Sequence, residues 1–399
     1  MLLKTKPNVL FVVAQGIESN SGYHVQWYAN SLIQQGANCV VAVPDQVVQD
    51  RSDNLWVVAH SDIEFKSPVE LFRNGRGADV VVAWTPREIV RKCVQSLFDK
   101  KPSRLVVHME DNEEYLTEVS TGLSKQDLSA LSLVQLDNIV PRDRYHPVRG
   151  RRFLRQANAV TYLIDILGRY ASSDGLQAEI SAPINESLFY ERPINYGLRN
   201  EFGISDTECV IVYSGNVHDA NADEVLVLYK AVRHLQQSGH AARLIRTGKN
   251  TGSVATELAD QFESLPGLID LGWVDRLRLA EISACANLFV QPGGSNPFND
   301  ERVPSKLPEY FALGRPVVMS RCNIGHKAQH LSDAYLTDCS DIDAIIKAVT
   351  VILEDRSLME RLSVGARRFY ENSLRADEMA LPGLIRLVLR SKPVELLSH

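Results

Sequence analysis

Short aliphatic runs alternate with longer amphipathic stretches along the chain. In the first half, β-branched runs predict strands at residues 9–14, 39–43, 56–59, 80–84, 105–107 and 160–164. Residues 22–35 carry apolar side chains at helical spacing and end at Gly36, which suits the position after a helix. Near-continuous runs of valine and isoleucine are typical of strands covered on both faces, so they predict a parallel sheet.

The second half repeats this alternation. We predict strands at 210–214, 243–247, 269–273, 288–291 and 316–320, and helices at 223–237, 277–284, 306–313 and 342–353. The expected fold class is α/β, with two Rossmann-like domains that have right-handed crossovers and enclose an interdomain cleft for a ligand. We place the domains at 1–183 and 194–375, followed by a helical tail at 376–399 that can pack back on the N-terminal domain.

Charge and cysteine usage narrow the class of protein. With 43 Lys+Arg and 49 Asp+Glu, the net charge is −6, which disfavours a general nucleic-acid binder because such proteins need a dense cationic surface. The six cysteines are scattered singly, which disfavours a zinc ribbon or disulfide scaffold and predicts a reducing, cytoplasmic location. No apolar run reaches the roughly 18 residues that a membrane span needs.

The most informative stretch is 293–318, a polar loop followed by a short helix. Ser305 suits the N-cap of that helix, and Gly314 followed by Arg-Pro suits its end. The backbone amides of Ser305, Lys306 and Leu307 at the start of the helix predict an anion site, with phosphate the obvious anion.

Two glutamates, Glu301 and Glu309, flank the predicted anion site with seven residues between them. A carboxylate has two acceptor oxygens and can therefore bind two adjacent hydroxyl groups. Carboxylates on both sides of a phosphate site suit a ligand with a diol on each side of a diphosphate. A nucleotide sugar has this layout.

The stretch 304–318, PSKLPEYFALGRPVV, together with the Glu301–Glu309 pair, resembles the GT-B-fold glycosyltransferases, near the retaining family four (glycosyl transferases group 1). Residues 272–286 and 212–215 add to the resemblance, which is specific over about 209–320. The resemblance implies transfer of a sugar from a nucleotide-diphosphate donor to an acceptor hydroxyl. It also implies retention of anomeric configuration, no metal and no cofactor.

By this resemblance, Glu309 holds the nucleotide ribose and Glu301 is a catalytic residue that meets the hydroxyls of the transferred sugar. The amides of Ser305, Lys306 and Leu307 would bind the distal phosphate.

One departure from the family pattern concerns the diphosphate. The family usually has a basic residue directly after the Ser-Gly turn and a lysine about five positions on, but this sequence has Asn216 and Asn221 after Gly215. Other cations must then neutralise the donor. The candidate cations are Arg246, Lys249, Arg302 and Lys306. His218 is a further candidate when its imidazole is protonated.

The loop 15–24 in the first domain lacks the GxGxxG pattern, so an NAD site there is improbable. By resemblance, this loop lies against the donor phosphates and the acceptor, with Gly22 as a donor-binding residue and Tyr23 as a further candidate to line the cleft. The alternative is a plain strand–helix turn. His108 and Asp111, with Glu110 between them, follow a buried strand. They are candidates for assisting deprotonation of an acceptor hydroxyl, and the alternative is a hydrogen-bonded surface turn.

Three further features have structural interpretations. We interpret Arg87 as a solvated charge at a helix start, with an anionic acceptor as the alternative. The pair Asp341 and Asp343 matches the DxD spacing of metal-using transferases, but it opens an apolar helical stretch, which favours helix capping. The arginine-rich stretch 141–152 is either a solvated loop or a contact for an acidic lipid surface or anionic acceptor.

The expected partners are therefore a nucleotide sugar and an acceptor that is a glycan, a lipid-linked sugar or a small molecule. The expected location is cytoplasmic, with peripheral contact at the inner face of a membrane as the alternative. A different class of function is a catalytically decayed protein that serves as a binding or partner subunit. A nucleotide-sugar epimerase or a phosphorylase is a third hypothesis.

Overall fold

The computed structural model describes residues 6–44, 55–172, 175–251 and 266–396. The chain divides into two compact units, the first formed by Met1–Pro183 with Ala376–His399 and the second by Ile184–Arg375. Residues 184–193, which the sequence left between the domains, are part of the second unit.

The first unit is built on a parallel sheet of seven strands in the order β3-β2-β1-β4-β5-β6-β7. Its strands are β1 Asn8–Val13, β2 Asn38–Val43, β3 Trp56–Ala59, β4 Val80–Trp84, β5 Arg104–Met109, β6 Ala159–Tyr162 and β7 Leu176–Glu179. The first six match predicted runs. The sequence did not predict β7, because this edge strand is largely exposed and has no aliphatic run.

Helices connect these strands on both sides of the sheet. They are α1 Asn20–Gln34, α2 His60–Phe65, α3 Glu88–Phe98, α4 Glu113–Thr121, α5 Lys125–Ala130, α6 Leu133–Ile139 and α7 Arg149–Gln156, with 3-10 turns at Pro68–Leu71 and Asp165–Tyr170.

The second unit has a parallel sheet of six strands in the order β10-β9-β8-β11-β12-β13. Its strands are β8 Cys209–Ser214, β9 Ala242–Thr247, β10 Leu268–Asp270, β11 Leu288–Val290, β12 Val317–Met319 and β13 Tyr335–Leu336. The strand predicted at 269–273 ends at Asp270, and Gly272 turns the chain with φ +60°.

The helices of the second unit are α8 Tyr196–Glu201, α9 Ala222–Gln237, α10 Arg276–Ser283, α11 Lys306–Ala312, α12 Ile342–Glu354 and α13 Arg356–Phe369, with a 3-10 turn at Asn323–His326 and a π-helical turn at Tyr370–Leu374. The tail of the chain forms α14 Ala380–Val388.

Apolar side chains cover both faces of the second sheet. Along β8, Val210 and Val212 belong to one hydrophobic cluster, whereas Ile211 and Tyr213 belong to another. Since successive side chains of a strand point to opposite faces, the near-continuous aliphatic run is explained by burial on both faces. The predicted class, two α/β units with parallel sheets, is confirmed.

The strand order reverses at one place in each sheet, between β1 and β4 in the first unit and between β8 and β11 in the second. In open parallel sheets, ligands bind outside the carboxyl ends of the strands at such a reversal. The residues that follow β1, β4, β8 and β11 are therefore the first places to look for a site.

Helix α14 completes the core of the first unit. Leu381, Ile385 and Val388 are buried in the same cluster as Val25 of α1. The loop before α14 is also held, because the Ser31 hydroxyl donates a hydrogen bond of 2.6 Å to the Glu378 carbonyl.

We expect Ile385→Ala to lower the free energy of unfolding of the first unit by about 3 kcal/mol, because the truncation leaves a cavity in that core. Leu387→Ala is the matched control, because Leu387 is 46% exposed. Three of the four tryptophans, Trp27, Trp56 and Trp84, lie in the first unit, so denaturation followed by fluorescence reports on it. Equal losses for both variants would contradict this packing.

Candidate functional site

Helix α11 is fixed at the reversal point of the second sheet by Tyr310. Its hydroxyl accepts a hydrogen bond of 2.8 Å from the backbone amide of Ser214, the last residue of β8. Its ring stacks on Phe289 of β11, with 3.9 Å between the ring centres. The start of α11 is thereby placed at the carboxyl ends of both strands.

The start of α11 differs from the predicted anion site in two respects, the N-cap at Ser305 and the amide of Leu307. Ser305 has helical dihedral angles, and its hydroxyl makes no capping bond. The Leu307 amide donates to the Pro304 carbonyl at 2.9 Å, and Pro308 has no N–H. The expectation that the Leu307 amide points to a ligand is therefore wrong, and side chains must provide most of the positive charge.

Lys306 supplies one of these charges. Its ammonium nitrogen lies 4.7 Å from the ring centre of Tyr213, over the end of β8. A Cβ atom built on Gly215 would lie only 2.8 Å from the Lys306 Cε atom. The side chain can therefore occupy this position only because residue 215 is glycine, which also has φ +150°. Burial and the nearby Arg302 lower the pKa of Lys306 to about 7.

Arg302 supplies a second charge. Its guanidinium donates to the Asn299 amide oxygen at 2.8 Å and lies 3.9 Å from a carboxylate oxygen of Glu224. It also lies 3.8 Å from the ring centre of Phe298. Its Nε atom is buried and has no hydrogen-bond partner in the described part of the chain.

Glu224 is a site residue that sequence reasoning missed. It accepts hydrogen bonds from the side-chain amides of Asn296 and Asn299, and burial raises its pKa. Its only signal in the sequence is its place in the first turn of a helix that follows a glycine turn, a place that acidic residues commonly occupy.

The two predicted glutamates, Glu301 and Glu309, are both buried in the second unit. Glu309 accepts a hydrogen bond of 2.6 Å from Arg276, the first residue of α10. The guanidinium of Arg276 also lies 5.1 Å from the ring centre of Phe189. Arg276 therefore orients the carboxylate of Glu309, a role that nothing in the sequence indicated.

Asn216 and Asn221 stand where the family usually has basic residues, and their side chains hold the loop after β8 by hydrogen bonds. The Asn216 side-chain oxygen accepts from the Lys249 amide at 2.8 Å, and the Asn221 side chain donates to the Asn216 carbonyl at 3.1 Å. Asn221 also accepts from the His218 amide at 2.8 Å. These side chains stabilise the turn that contains Gly215 and carry no charge.

Arg246 is not available as a diphosphate ligand. It is 1% exposed, and its guanidinium donates to Asp270 at 2.6 Å and to Asn250 at 2.5 Å. Because its charge is already neutralised by Asp270, we correct the expectation that Arg246 compensates for the missing cations.

The two remaining predicted cations, His218 and Lys249, differ from Lys306 and Arg302 in charge and in exposure. Burial and the charges of Arg302 and Lys306 lower the pKa of His218 to about 4, so its imidazole is neutral at neutral pH. Lys249 is exposed, and its ammonium lies 5.9 Å from the ring centre of Trp273. Lys306 and Arg302 are therefore the predicted cations that the structure brings together.

A second polar group occupies the reversal point of the first sheet and is organised by Glu110. This carboxylate accepts hydrogen bonds from Ser21 at 2.5 Å and from the Trp84 indole at 2.8 Å, and it lies 3.1 Å from the His24 ring. Although burial alone would raise it, the hydrogen bonds with His24 and Ser21 lower the pKa of Glu110 to about 2. Glu110 is thus ionised. Because Ser21, His24 and Trp84 contact its two oxygens, it is not a free base.

His108 is fully buried and does not lie on a surface turn. Its Nδ1 lies 2.9 Å from the Thr161 hydroxyl, and its ring packs on Trp84 with 3.9 Å between centres. Burial lowers the pKa of His108 to about 3, so the ring is neutral. Its Nε2 has no hydrogen-bond partner in the described residues.

Asp111 and Arg87 lie in an ion-pair group. Arg87 is buried, and its Nε lies 3.1 and 2.9 Å from the two oxygens of Glu113. Asp111 lies 3.7 Å from the same guanidinium. The interpretation of Arg87 as a solvated charge is therefore wrong. The carboxylate that contacts the histidine and tryptophan group is that of Glu110, whereas Asp111 faces Arg87.

Gly22 lies in the first turn of α1, and its amide donates to the Ser19 hydroxyl at 3.0 Å. A side chain at this position would collide with the Ile17 carbonyl. This geometry favours the interpretation of 15–24 as a strand–helix turn that needs glycine for close backbone approach.

The DxD-like pair caps a helix, as the sequence predicted. The Asp341 carboxylate accepts from the Asp343 amide at 3.0 Å, at the start of α12.

In the arginine-rich stretch, Arg149 pairs with Asp137 and Arg151 with Glu114. Within the described ranges, no three His, Cys, Asp or Glu side chains group to hold a metal, and none of the helices there suits a membrane crossing.

Comparison with known proteins gives a family match to the second unit. Residues 208–355 match the family described as Glycosyl transferases group 1. The sequence has no match among the curated proteins.

Solved structures resemble the whole chain. Sucrose-phosphate synthase of Thermosynechococcus elongatus is 15% identical with a TM-score of 0.70, over 97% of this chain and 100% of that one. Anabaena HepE, solved with UDP-glucose, is 14% identical with a TM-score of 0.69, over 96% and 100%. WaaG, a glycosyltransferase involved in lipopolysaccharide biosynthesis, is 14% identical with a TM-score of 0.65, over 96% and 100%.

The chain has the GT-B fold. At this level of identity the structural likeness establishes the GT-B fold alone, and the match of residues 208–355 confirms the resemblance to glycosyl transferases group 1.

In this GT-B protein, we expect Gly215→Ala to weaken binding of inorganic diphosphate, a probe for the predicted anion site, at least about fivefold, or about 1 kcal/mol, because the methyl group displaces Lys306. Gly203→Ala is the matched control, since Gly203 also has a positive φ, +68°, but nothing lies near its Cβ position. Calorimetric titration measures both affinities. Unchanged binding by Gly215→Ala would contradict the role of this close approach.

Proposed function

We propose that the protein is a glycosyltransferase that moves a sugar from a nucleotide-diphosphate donor to an acceptor hydroxyl. The observation that carries this proposal is that two cations, Lys306 at the end of β8 and the nearby Arg302, lie close enough to the buried carboxylate of Glu309 for its charge to act on Lys306. Glu301 is buried in the same unit. The GT-B fold and the family match in the same unit support it.

Lys306 and Arg302 bind the diphosphate in this proposal. A nucleotide sugar carries two negative charges there, and two cations neutralise them by charge-assisted hydrogen bonds. They take over the task that the family gives to the positions of Asn216 and Asn221. As the bond to the sugar breaks, negative charge grows on the leaving diphosphate, and these fixed cations stabilise it.

The carboxylates bind hydroxyl groups on either side. Glu309 accepts from the nucleotide ribose, and its hydrogen bond from Arg276 fixes the direction of the carboxylate. Glu301 meets the hydroxyls of the transferred hexose. The departing phosphate oxygen then takes the proton of the acceptor hydroxyl on the same face of the sugar, which gives retention without a metal ion or an enzyme nucleophile.

Anabaena HepE, a structure similar to this chain, was solved with UDP and with UDP-glucose, which makes uridine nucleotides the first probes for the donor. We propose a cytoplasmic protein whose acceptor is a glycan, a lipid-linked sugar or a small molecule.

A screen of UDP-, GDP-, ADP- and dTDP-sugars, read by mass spectrometry with a panel of acceptors, tests the proposal. Glycosylated acceptor and free nucleotide diphosphate are the expected products. Absence of turnover and of a thermal shift with every nucleotide diphosphate would instead support the decayed binding subunit, because a bound ligand at about 100 times its Kd adds about 2.7 kcal/mol of stability.

We expect Glu309→Ala to weaken UDP binding about tenfold or more, through loss of hydrogen bonds to a charged group. The variant should also bind UDP and its 2′- and 3′-deoxy analogues with equal affinity, because the group that distinguishes them is gone. Glu281→Ala, which removes a surface carboxylate paired with Arg278, is the control. Glu301→Ala should instead reduce turnover more than UDP affinity. If Glu309→Ala still preferred UDP over its deoxy analogues as strongly as wild type does, the ribose contact would be refuted.

The pH dependence of donor binding reports on Lys306. With a pKa near 7 in the free protein, its side chain is charged below pH 7 and must take up a proton above it to meet the diphosphate. Affinity for UDP-glucose, whose diphosphate stays ionised, should therefore fall as pH rises from 7 to 9. Arg302, Glu224 and Glu309 also face this ammonium.

Lys306→Arg is the matched control, because arginine stays charged throughout. We expect calorimetry to show a flatter profile for this variant. The same decline in wild type and Lys306→Arg would exclude Lys306 as the titrating group.

A further inference from the structure

His218 lies in the turn after β8, between Gly215 and the start of α9. Its backbone is held at three points. Its carbonyl accepts hydrogen bonds of 2.9 Å from the amides of Asn221 and Ala222, and its amide donates to the Asn221 side chain at 2.8 Å. The side chain itself is half-buried. The imidazole therefore has a defined position and is still accessible to a ligand.

Phe298 connects this imidazole to the two cations of the candidate site. The ring centres of His218 and Phe298 lie 6.4 Å apart, with the rings edge to face. The guanidinium of Arg302 lies 3.8 Å from the centre of the same phenyl ring. Lys306 is also close enough for its charge to act on His218. The imidazole thus belongs to the same cluster as the two cations, although it comes from a different loop.

The free protein keeps this imidazole neutral. Burial has the largest effect on its pKa, and Arg302 and Lys306 lower the pKa further because they repel a third positive charge. The carboxylate of Asp219 acts in the opposite direction and does not outweigh them. A permanent cation at position 218 would meet the same repulsion, whereas a histidine avoids it by staying unprotonated.

A bound diphosphate changes these conditions. Its negative charges neutralise Arg302 and Lys306, so the repulsion that opposes protonation of the ring disappears. A phosphate oxygen that accepts a hydrogen bond from the ring also stabilises the imidazolium, because such charge-assisted bonds are stronger than neutral ones. The ordinary pKa of histidine is about 6.5, so a return to it places a proton on the ring in weakly acidic solution.

We infer that His218 is a third ligand of the diphosphate, and that its imidazole takes up a proton from solvent when the diphosphate binds. This inference rests on the proposed function. It goes beyond that function by adding a positive charge that is present in the complex and absent from the free protein.

A pH titration followed by NMR tests the inference, because the Cε1–H signal of a histidine shifts when its ring is protonated. In protein with isotope-labelled histidine, the signal that is missing from His218→Asn, and from His218→Gln as a second variant, belongs to His218. We expect inorganic diphosphate to raise the pKa of His218 from about 4 to about 6.5 or higher. The signal of His234, which is exposed near the far end of α9, should not respond to the ligand.

The affinity for inorganic diphosphate measures the same charge. A rise in the pKa of His218 from about 4 to about 6.5 strengthens binding about fourfold at pH 6, where the ring gains a proton, and hardly at all at pH 8. By calorimetry, His218→Asn should therefore bind this probe at least about fourfold more weakly than wild type at pH 6, and about equally at pH 8. His234→Asn is the matched control and should bind like wild type at both pH values.

The outcomes separate this inference from the proposed function. If wild type does not bind inorganic diphosphate, the diphosphate site of the proposed function is overturned, and the inference with it. If wild type binds the probe while the titration of His218 stays unchanged, or if His218→Asn loses the same affinity at pH 6 and pH 8, the inference alone is overturned.

Discussion

The close approach of the Lys306 side chain to Gly215 is the contact on which the candidate donor site depends. The ammonium reaches the end of β8 only because residue 215 has no side chain, and Tyr310 fixes the helix that carries it. Partial burial beside Arg302 makes the charge costly in the free protein, which lowers the pKa of Lys306. A bound anion would lower that cost, because its negative charge would face both cations.

This arrangement also explains how the candidate site obtains positive charge without cations at Asn216 and Asn221. These side chains hold the backbone of the glycine turn, whereas the charge comes from α11 and the loop before it, through Lys306 and Arg302. A diphosphate site needs a total charge in the right place, not a charge at particular chain positions. The departure from the family pattern is therefore a relocation of charge.

The first unit has a different arrangement of charge at its strand ends. One buried carboxylate, Glu110, is kept ionised by hydrogen bonds from Ser21, Trp84 and the neighbouring His24. Burial meanwhile keeps His108 neutral. The result is a buried, hydrogen-bonded polar group at the strand ends of the first sheet that carries the negative charge of Glu110. The two units thus differ in the charge at their strand ends, with cations in the second unit and an ionised carboxylate in the first.

The sequence alone determined the two parallel sheets, most of their strands and the stretch with Glu301 and Glu309, because these depend on local hydrophobic runs and short motifs. Only the tertiary structure decided which charges are available. Arg246 and Arg302 look alike in the sequence, yet Asp270 neutralises the first. The pairing of Arg276 with Glu309 and the gap that Gly215 leaves for Lys306 join distant chain positions, and burial, which sets the pKa of each group, exists only after folding.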